Sequence, residues 1–236
     1  MKKLGLIGGV GPVSTIEYYK SINDGYQKHL AQYRSSKSGE NPPMIIESLN
    51  IATAYELVAK KDWKNFADLF IAAVNNLHKA GADFAAIAAN TAHIVFDEIE
   101  ANSPIPLVGI IDETCKVAEA LACKKVIVIG TEFTMKSRMY ETKLSKFGIE
   151  GIVPCDADKK AVHDIIFPNL EARIVLEHEK EAVLEIVRRM LCEHKADTVV
   201  LGCTELNLII KDDDLDAILI DTAKVHIDAI LKNILS

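Results

Sequence analysis

Cys203 is the residue whose neighbours best suit nucleophilic or proton-transfer chemistry. It lies in the run TVVLGCTE, residues 198–205, where an apolar stretch ends at a glycine and gives way to a thiol, a hydroxyl and a carboxylate. The run reads as strand, turn and helix start. A thiol placed there is expected to be partly exposed, with nearby helix N–H groups lowering its pKa. Thr204 can cap the helix and also offer its hydroxyl to a ligand. Glu205 can orient or deprotonate the thiol, or simply complement the helix dipole. A buried structural cysteine is the competing reading.

Two further stretches carry polar groups at the end of an apolar run. Asn90-Thr91-Ala92-His93 follows Ala89. Asn90 and Thr91 can donate to a carboxylate at a helix start, and His93 can orient a neighbouring group; a simple helix cap is the plain alternative. Gly8-Gly9-Val10-Gly11-Pro12 also joins a strand to a helix. From Gly9 it runs G-x-G-x-x-S, with Ser14 in place of the third glycine. The acidic residue of a dinucleotide site is missing, since the second strand ends near Asn50. The turn either gathers N–H groups for an anion such as a carboxylate or needs glycine for steric reasons alone. His163, near Asp156 and Asp158, is a weaker candidate. His29, His78, His178 and His194 fall on helices and are expected to face solvent.

There are five cysteines and no CxxC pair, which excludes a zinc ribbon. Their odd number, with no secretory signal, implies reduced thiols in the cytoplasm. Cys115, Cys123 and Cys192 sit in helical patterns and read as buried small hydrophobes.

The elements that must position these groups alternate along the chain. Strands are expected over 4–7, 44–49, 84–89, 107–110, 126–129, 151–153, 198–201 and 218–220. Several are unbroken apolar runs, as in strands buried on both faces of a parallel sheet. Helices are expected over 14–29, with Ile16, Tyr19, Tyr26 and Leu30 on one face, over 63–79, and over 179–194. Such alternation predicts an α/β fold. Residues 35–43 are polar and turn-rich, and form a loop that is either a flexible lid overhanging a strand end or a plain surface loop.

An internal echo refines this. LGLIGG is followed by AAIAANTAH, and VIVIGT by TVVLGCTEL; Ile7 to Ala89 spans 82 residues and Ile129 to Cys203 spans 74. The echo predicts two similar α/β halves, with a ligand at the carboxyl ends of both sets of strands.

A length of 236 residues admits one large domain or two small ones. With 49% hydrophobic and 26% charged residues, the composition excludes a disordered chain or a coiled-coil rod. The net charge of −7 leaves no basic footprint for nucleic acid, and no apolar run is long enough for a membrane span. The expected partner is a small molecule.

Taken together, GGVGP with Ser14-Thr15, Ala88-Ala89-Asn90-Thr91-Ala92-His93, Gly130-Thr131 with Thr134-Met135, and Leu201-Gly202-Cys203-Thr204-Glu205-Leu206 resemble the cofactor-independent aspartate/glutamate racemase family. The resemblance runs the whole length. It implies two pseudo-symmetric α/β domains, each a mostly parallel sheet flanked by helices, with the active site in the cleft between them. The domains would be residues 1–112 plus 222–236, and 113–221. It also implies a homodimer, no cofactor and no metal. One thiolate removes the Cα proton and a second thiol delivers another from the opposite face; the second-half thiol serves the L-enantiomer. By resemblance, Asn90, Thr91, Thr131 and Thr204 bind the α-carboxylate, with Gly11, Asn50 and Glu205 also at the substrate. Arg173 and Arg34 are the candidates for holding a side-chain carboxylate.

One position departs from the family. Where the family has Cys, or sometimes Thr, this chain has Ala89, which cannot carry a proton. Two origins fit: a Cys→Ala exchange made to trap substrate, which the intact surroundings favour, or a natural one-thiol enzyme. The leading expectation is a racemase of aspartate or glutamate crippled at one base. The alternatives are a single-thiol lyase or cis-trans isomerase of a dicarboxylate, and a non-catalytic dicarboxylate binder.

Overall fold

Among the described residues, four of the eight strands are buried along most or all of their length, which is why they read as continuous apolar runs. The computed structural model describes residues 1–32 and 40–236. Arg34 and most of the expected loop over 35–43 lie outside the described residues. The chain divides into two compact units, Met1–Gly109 with His226–Ser236, and Ile110–Val225.

In the first unit the elements are β1 (Leu4–Gly8), α1 (Pro12–Ala31), β2 (Met44–Ser48), α2 (Ile51–Ala59), α3 (Trp63–Lys79), β3 (Phe84–Ile87), α4 (Phe96–Ala101) and β4 (Leu107–Val108). A short 3-10 turn, Thr91–Val95, precedes α4. The strands form one parallel sheet in the order β2-β1-β3-β4. Central β1 and β3 are wholly buried, while edge strand β2 alternates. The stripe Phe66, Phe70, Ala73, Val74 and Leu77 packs α3 into the core beside Ile7 and Ile87. Asp62 caps that helix, supplying an acceptor to an N–H that would otherwise be unpaired.

The second unit repeats the plan. It comprises α5 (Ile110–Ala120), β5 (Lys125–Gly130), α6 (Glu132–Lys136), α7 (Met139–Ser145), β6 (Glu150–Ile152), α8 (Asp156–Ile165), α9 (Glu177–His194), β7 (Thr198–Gly202) and β8 (Ile218–Asp221). Its sheet is parallel and ordered β6-β5-β7-β8, strand for strand the order of the first. The predicted α/β class and the internal echo are both present. A final helix, α10 (Thr222–Leu235), begins in the second unit and continues in the first. No helix of the described residues is long and apolar enough to cross a membrane.

Three expectations are corrected. The buried face of α1 is Ser14, Tyr18, Ile22 and Tyr26, whereas Ile16 and Tyr19 are 63% and 50% exposed. The stripe is set by polar partners rather than by apolarity. Ser14 Oγ donates to the Ala88 carbonyl at 2.8 Å, and Tyr18 Oη lies 2.9 Å from His226 Nδ1. Cys192 is exposed; α9 buries Val183, Leu184, Ile186, Val187 and Met190, and two residues beyond Met190 the helix has turned to its outer face. The strands expected over 84–89 and 107–110 end at Ile87 and Val108, the second because Ile110 already opens α5. Of the helical histidines, His78 and His178 are exposed, while His29 and His194 are half-buried.

His226 of α10 is fully buried. Its Nε2 lies 2.8 Å from the Val108 carbonyl, which only accepts, so Nε2 carries the proton. Nδ1 therefore accepts from the Tyr18 hydroxyl. Burial, with His93 adding to it, pushes the His226 pKa down to about 3 from 6.5. The folded protein resists a proton that the unfolded chain takes up below pH 6.5. Stability from this group is therefore intact above pH 6.5 and falls as pH drops toward 3, by on the order of 5 kcal/mol in full. Urea midpoints measured from pH 7 to pH 4 should fall, and His226→Gln should flatten that part of the slope.

Candidate active site

Because the central strands are buried, polar side chains reach the surface of each sheet where its strands end. In the second unit Gly130 pairs with Gly202. A Cβ on Gly130 would lie 2.9 Å from the Gly202 carbonyl oxygen, so this close pairing admits no side chain. The next residues are Thr131 on one strand and Cys203 on its neighbour. Thr131 caps α6, accepting from Thr134 N at 3.2 Å.

Cys203 is 8% exposed. Its Sγ–H donates to Glu205 Oε2 at 3.0 Å, and Thr204 Oγ1 donates to the same oxygen at 2.6 Å. Burial pushes the thiol pKa well above its ordinary value. The Glu205 charge and hydrogen bond add to this, as does the charge of Glu171, against a partly offsetting Glu205 backbone N–H. This overturns the expected exposed, acidified thiol. The cause is local: β7 runs into a turn and a three-residue 3-10 helix, Leu206–Leu208, too short to supply a helix dipole. For the same reason Thr204 serves Glu205 rather than a helix cap. Beneath the corner, Thr222 Oγ1 donates to the Leu201 carbonyl at 2.8 Å, in full burial.

The first unit has an equivalent corner. Ile7 pairs with Ile87 as Ile129 pairs with Leu201, so Ala88 holds the station of Gly202, and Ala89 that of Cys203. Ala88 N donates to the Ile7 carbonyl at 2.9 Å, extending that register. Asn90 and His93 are buried, and Ala89 and Thr91 half-buried. His93 Nδ1 is 2.9 Å from the Ala89 carbonyl and therefore donates to it, while the ring stacks on Phe96 at 4.7 Å. No side chain caps the Thr91–Val95 turn from Asn90.

The adjacent strand ends bring Gly11 and Asn50 to the same edge of this sheet. Gly9, at φ +83°, approaches the Leu49 backbone too closely for a Cβ. Its N–H donates to Thr15 Oγ1 at 2.9 Å, and Thr15 Oγ1 donates to the Gly11 carbonyl. That N–H of the glycine turn is thus held within the turn. Asn50 caps α2 by accepting from Ala52 N at 2.9 Å.

Other candidates fall elsewhere. His163 meets the rings of Phe133 and Phe167 rather than the aspartates expected beside it. Asp158 instead pairs with Arg189, and Asp156 with Lys159. Arg173 is exposed in a left-handed turn, two residues beyond Glu171. Sequence reasoning missed Glu171 and His226. For His226, the only available signal was a histidine interrupting the apolar stripe Ala223, Ile227, Ile230 and Ile234. Among the described residues, no group of three or more His, Cys, Asp or Glu is arranged to hold a metal ion.

The family model described as Asp/Glu/Hydantoin racemase matches residues 7–230. The chain is 29% identical over 220 residues to the broad specificity amino-acid racemase RacX of Bacillus subtilis, covering 93% of this chain and 92% of that one. Among solved structures it is similar to a Yersinia pestis protein assigned to the Asp/Glu racemases, at 34% identity, TM-score 0.89 and full coverage of both chains. It is also similar to an aspartate racemase homologue from Pyrococcus horikoshii, at 32% identity, TM-score 0.84 and full coverage of both.

The thiols should sort by reactivity. Under limiting iodoacetamide at pH 8, peptide mapping should find Cys155 and Cys192, both exposed, alkylated well before Cys203. In Glu205→Gln the onset of Cys203 alkylation should move to lower pH, since a raising charge is removed.

Proposed function

The chain belongs to the Asp/Glu/Hydantoin racemase family, and from that premise we propose that it is an amino-acid racemase whose Cα base is Cys203. The observation that carries this reading is the Cys203–Glu205 hydrogen bond at a strand end. In the ligand-free protein the thiol is protonated, and its proton is aimed at a carboxylate. Glu205 takes that proton, the thiolate takes the Cα proton, and the electron pair passes into the substrate α-carboxylate. A weak carbon acid reacts only if donors stabilise that developing charge. Asn90, Thr91, Thr131 and Thr204 are the proposed donors. Gly11 and Asn50 border the substrate, His93 orients the Ala89 carbonyl, and the reaction calls for no cofactor.

The electrostatics favour a substrate bearing an ammonium group. The charges acting on Cys203 are the carboxylates of Glu205 and Glu171. A bound α-ammonium relieves them and eases ionisation of the thiol. A maleate- or malonate-like dianion adds to them. This argues against the second reading, a single-thiol lyase or cis-trans isomerase, which the methyl group at position 89 otherwise supports. Aspartate and glutamate are the proposed substrates. Ala89 stands at the station of Cys203 and carries no proton, so racemisation is crippled while exchange on one face survives.

In D2O the chain should exchange the Cα proton of one enantiomer of aspartate or glutamate, without matching inversion, as read by NMR and chiral chromatography. Cys203→Ala should abolish that exchange. Ala89→Cys should raise inversion by about 10²-fold or more. Rapid inversion with Ala89 in place would mean a second base lies elsewhere, and turnover of maleate or a malonate would sink the racemase reading.

A further inference from the structure

Of the buried groups that the proposed chemistry leaves unused, His226 is the most fully committed. We propose that it is a positioning residue that acts through His93 on the corner formed by Ala89, Asn90 and Thr91. The inference rests on the reading that this corner holds substrate.

His93 touches the corner twice. Its ring donates to the Ala89 carbonyl, and its backbone N–H donates to the Asn90 carbonyl at 2.9 Å. The ring keeps that aim only if it is held. Phe96 covers one face, nearly parallel at 12°. The His226 ring stands against it almost perpendicular, at 86° and 6.3 Å between centroids. His226 itself cannot turn. Tyr18 holds Nδ1 and Val108 holds Nε2, and a ring flip would set carbon atoms against both buried partners, leaving each unsatisfied. Packing alone does not call for an imidazole here. The neighbouring buried positions of α10 are Ala223, Ile227, Ile230 and Ile234, and an aliphatic residue would join them without desolvating a polar ring. What the imidazole adds is a fixed orientation, tied to the end of β4 and to α1. That orientation passes through His93 to the carbonyl between β3 and Asn90.

The test uses the full chain with 15N-labelled histidine. Long-range 1H–15N spectra report the His93 tautomer, and Cα exchange in D2O is followed with L- and D-aspartate and L- and D-glutamate. His226→Phe keeps a ring and loses both hydrogen bonds. It should give His93 averaged nitrogen shifts and lower the exchange kcat about tenfold, with KM changed less than about twofold. His226→Gln keeps a donor and an acceptor. It should retain the Nδ1–H tautomer of His93 and recover exchange to within about threefold of the parent. Tyr18→Phe, which removes only one bond, should fall between, and it serves if His226→Phe does not fold. A folded His226→Phe with unchanged His93 tautomer and unchanged exchange would overturn the proposal. If the parent exchanges none of the four amino acids, the racemase reading fails, while the nitrogen spectra still decide whether His226 sets His93.

Discussion

A strand covered on both faces can present chemistry only at its end. β1, β3 and β7 are buried throughout, and β5 from its second residue onward. Most polar groups of the candidate site follow from that constraint. Cys203, Thr204 and Glu205 begin where β7 stops; Ala89, Asn90 and His93 begin just after β3; Thr131 and Gly11 follow β5 and β1. The strand ends are then fixed from beneath. Ser14 holds the Ala88 carbonyl and Thr222 holds the Leu201 carbonyl, both in burial. In each unit a hydroxyl from a helix braces the backbone just before the equivalent stations, Ala89 in one and Cys203 in the other. A buried carbonyl without such a partner would be expensive, so the brace contributes both satisfaction and aim.

The second theme is charge. Burying a thiol beside a carboxylate makes it a poor acid, the opposite of what a standing nucleophile needs. For a base that must first give up its own proton, the arrangement has sense. Glu205 is already the acceptor of Cys203 Sγ–H and of Thr204 Oγ1–H, so proton movement needs no rearrangement. In the mechanism proposed above, the thiolate becomes favourable when the substrate ammonium arrives beside these carboxylates. On that mechanism reactivity is tied to occupancy, and a thiol whose pKa is raised by burial and nearby carboxylates is sheltered from oxidants.

Much of this was legible in the residues. The apolar runs marked the eight strands of the described residues to within a few positions. The echo between AAIAANTAH and TVVLGCTEL anticipated two sheets of one topology. Illegible were the features set by partners far along the chain. The buried face of α1 depends on Ala88 and His226, 74 and 208 residues away from Ser14 and Tyr18, so of the expected stripe Tyr26 is buried while Ile16 and Tyr19 are exposed. The exposure of Cys203 was misjudged because TEL after GC suggests a helix start, whereas the chain makes only a tight 3-10 turn. Glu171 comes to act on Cys203 from 32 positions upstream, and nothing in its local sequence marks it.

Each unit is stabilised by apolar clusters drawn from its own strands and helices, with Phe66, Phe70 and Ile87 in one and Ile127, Val199 and Leu201 in the other. Two copies of one architecture, each with its own core, form a duplicated scaffold in which folding and chemistry are separable. A side chain at one strand end can therefore be exchanged without unsettling the sheet beneath it, as the methyl group of Ala89 and the thiol of Cys203 at equivalent stations illustrate.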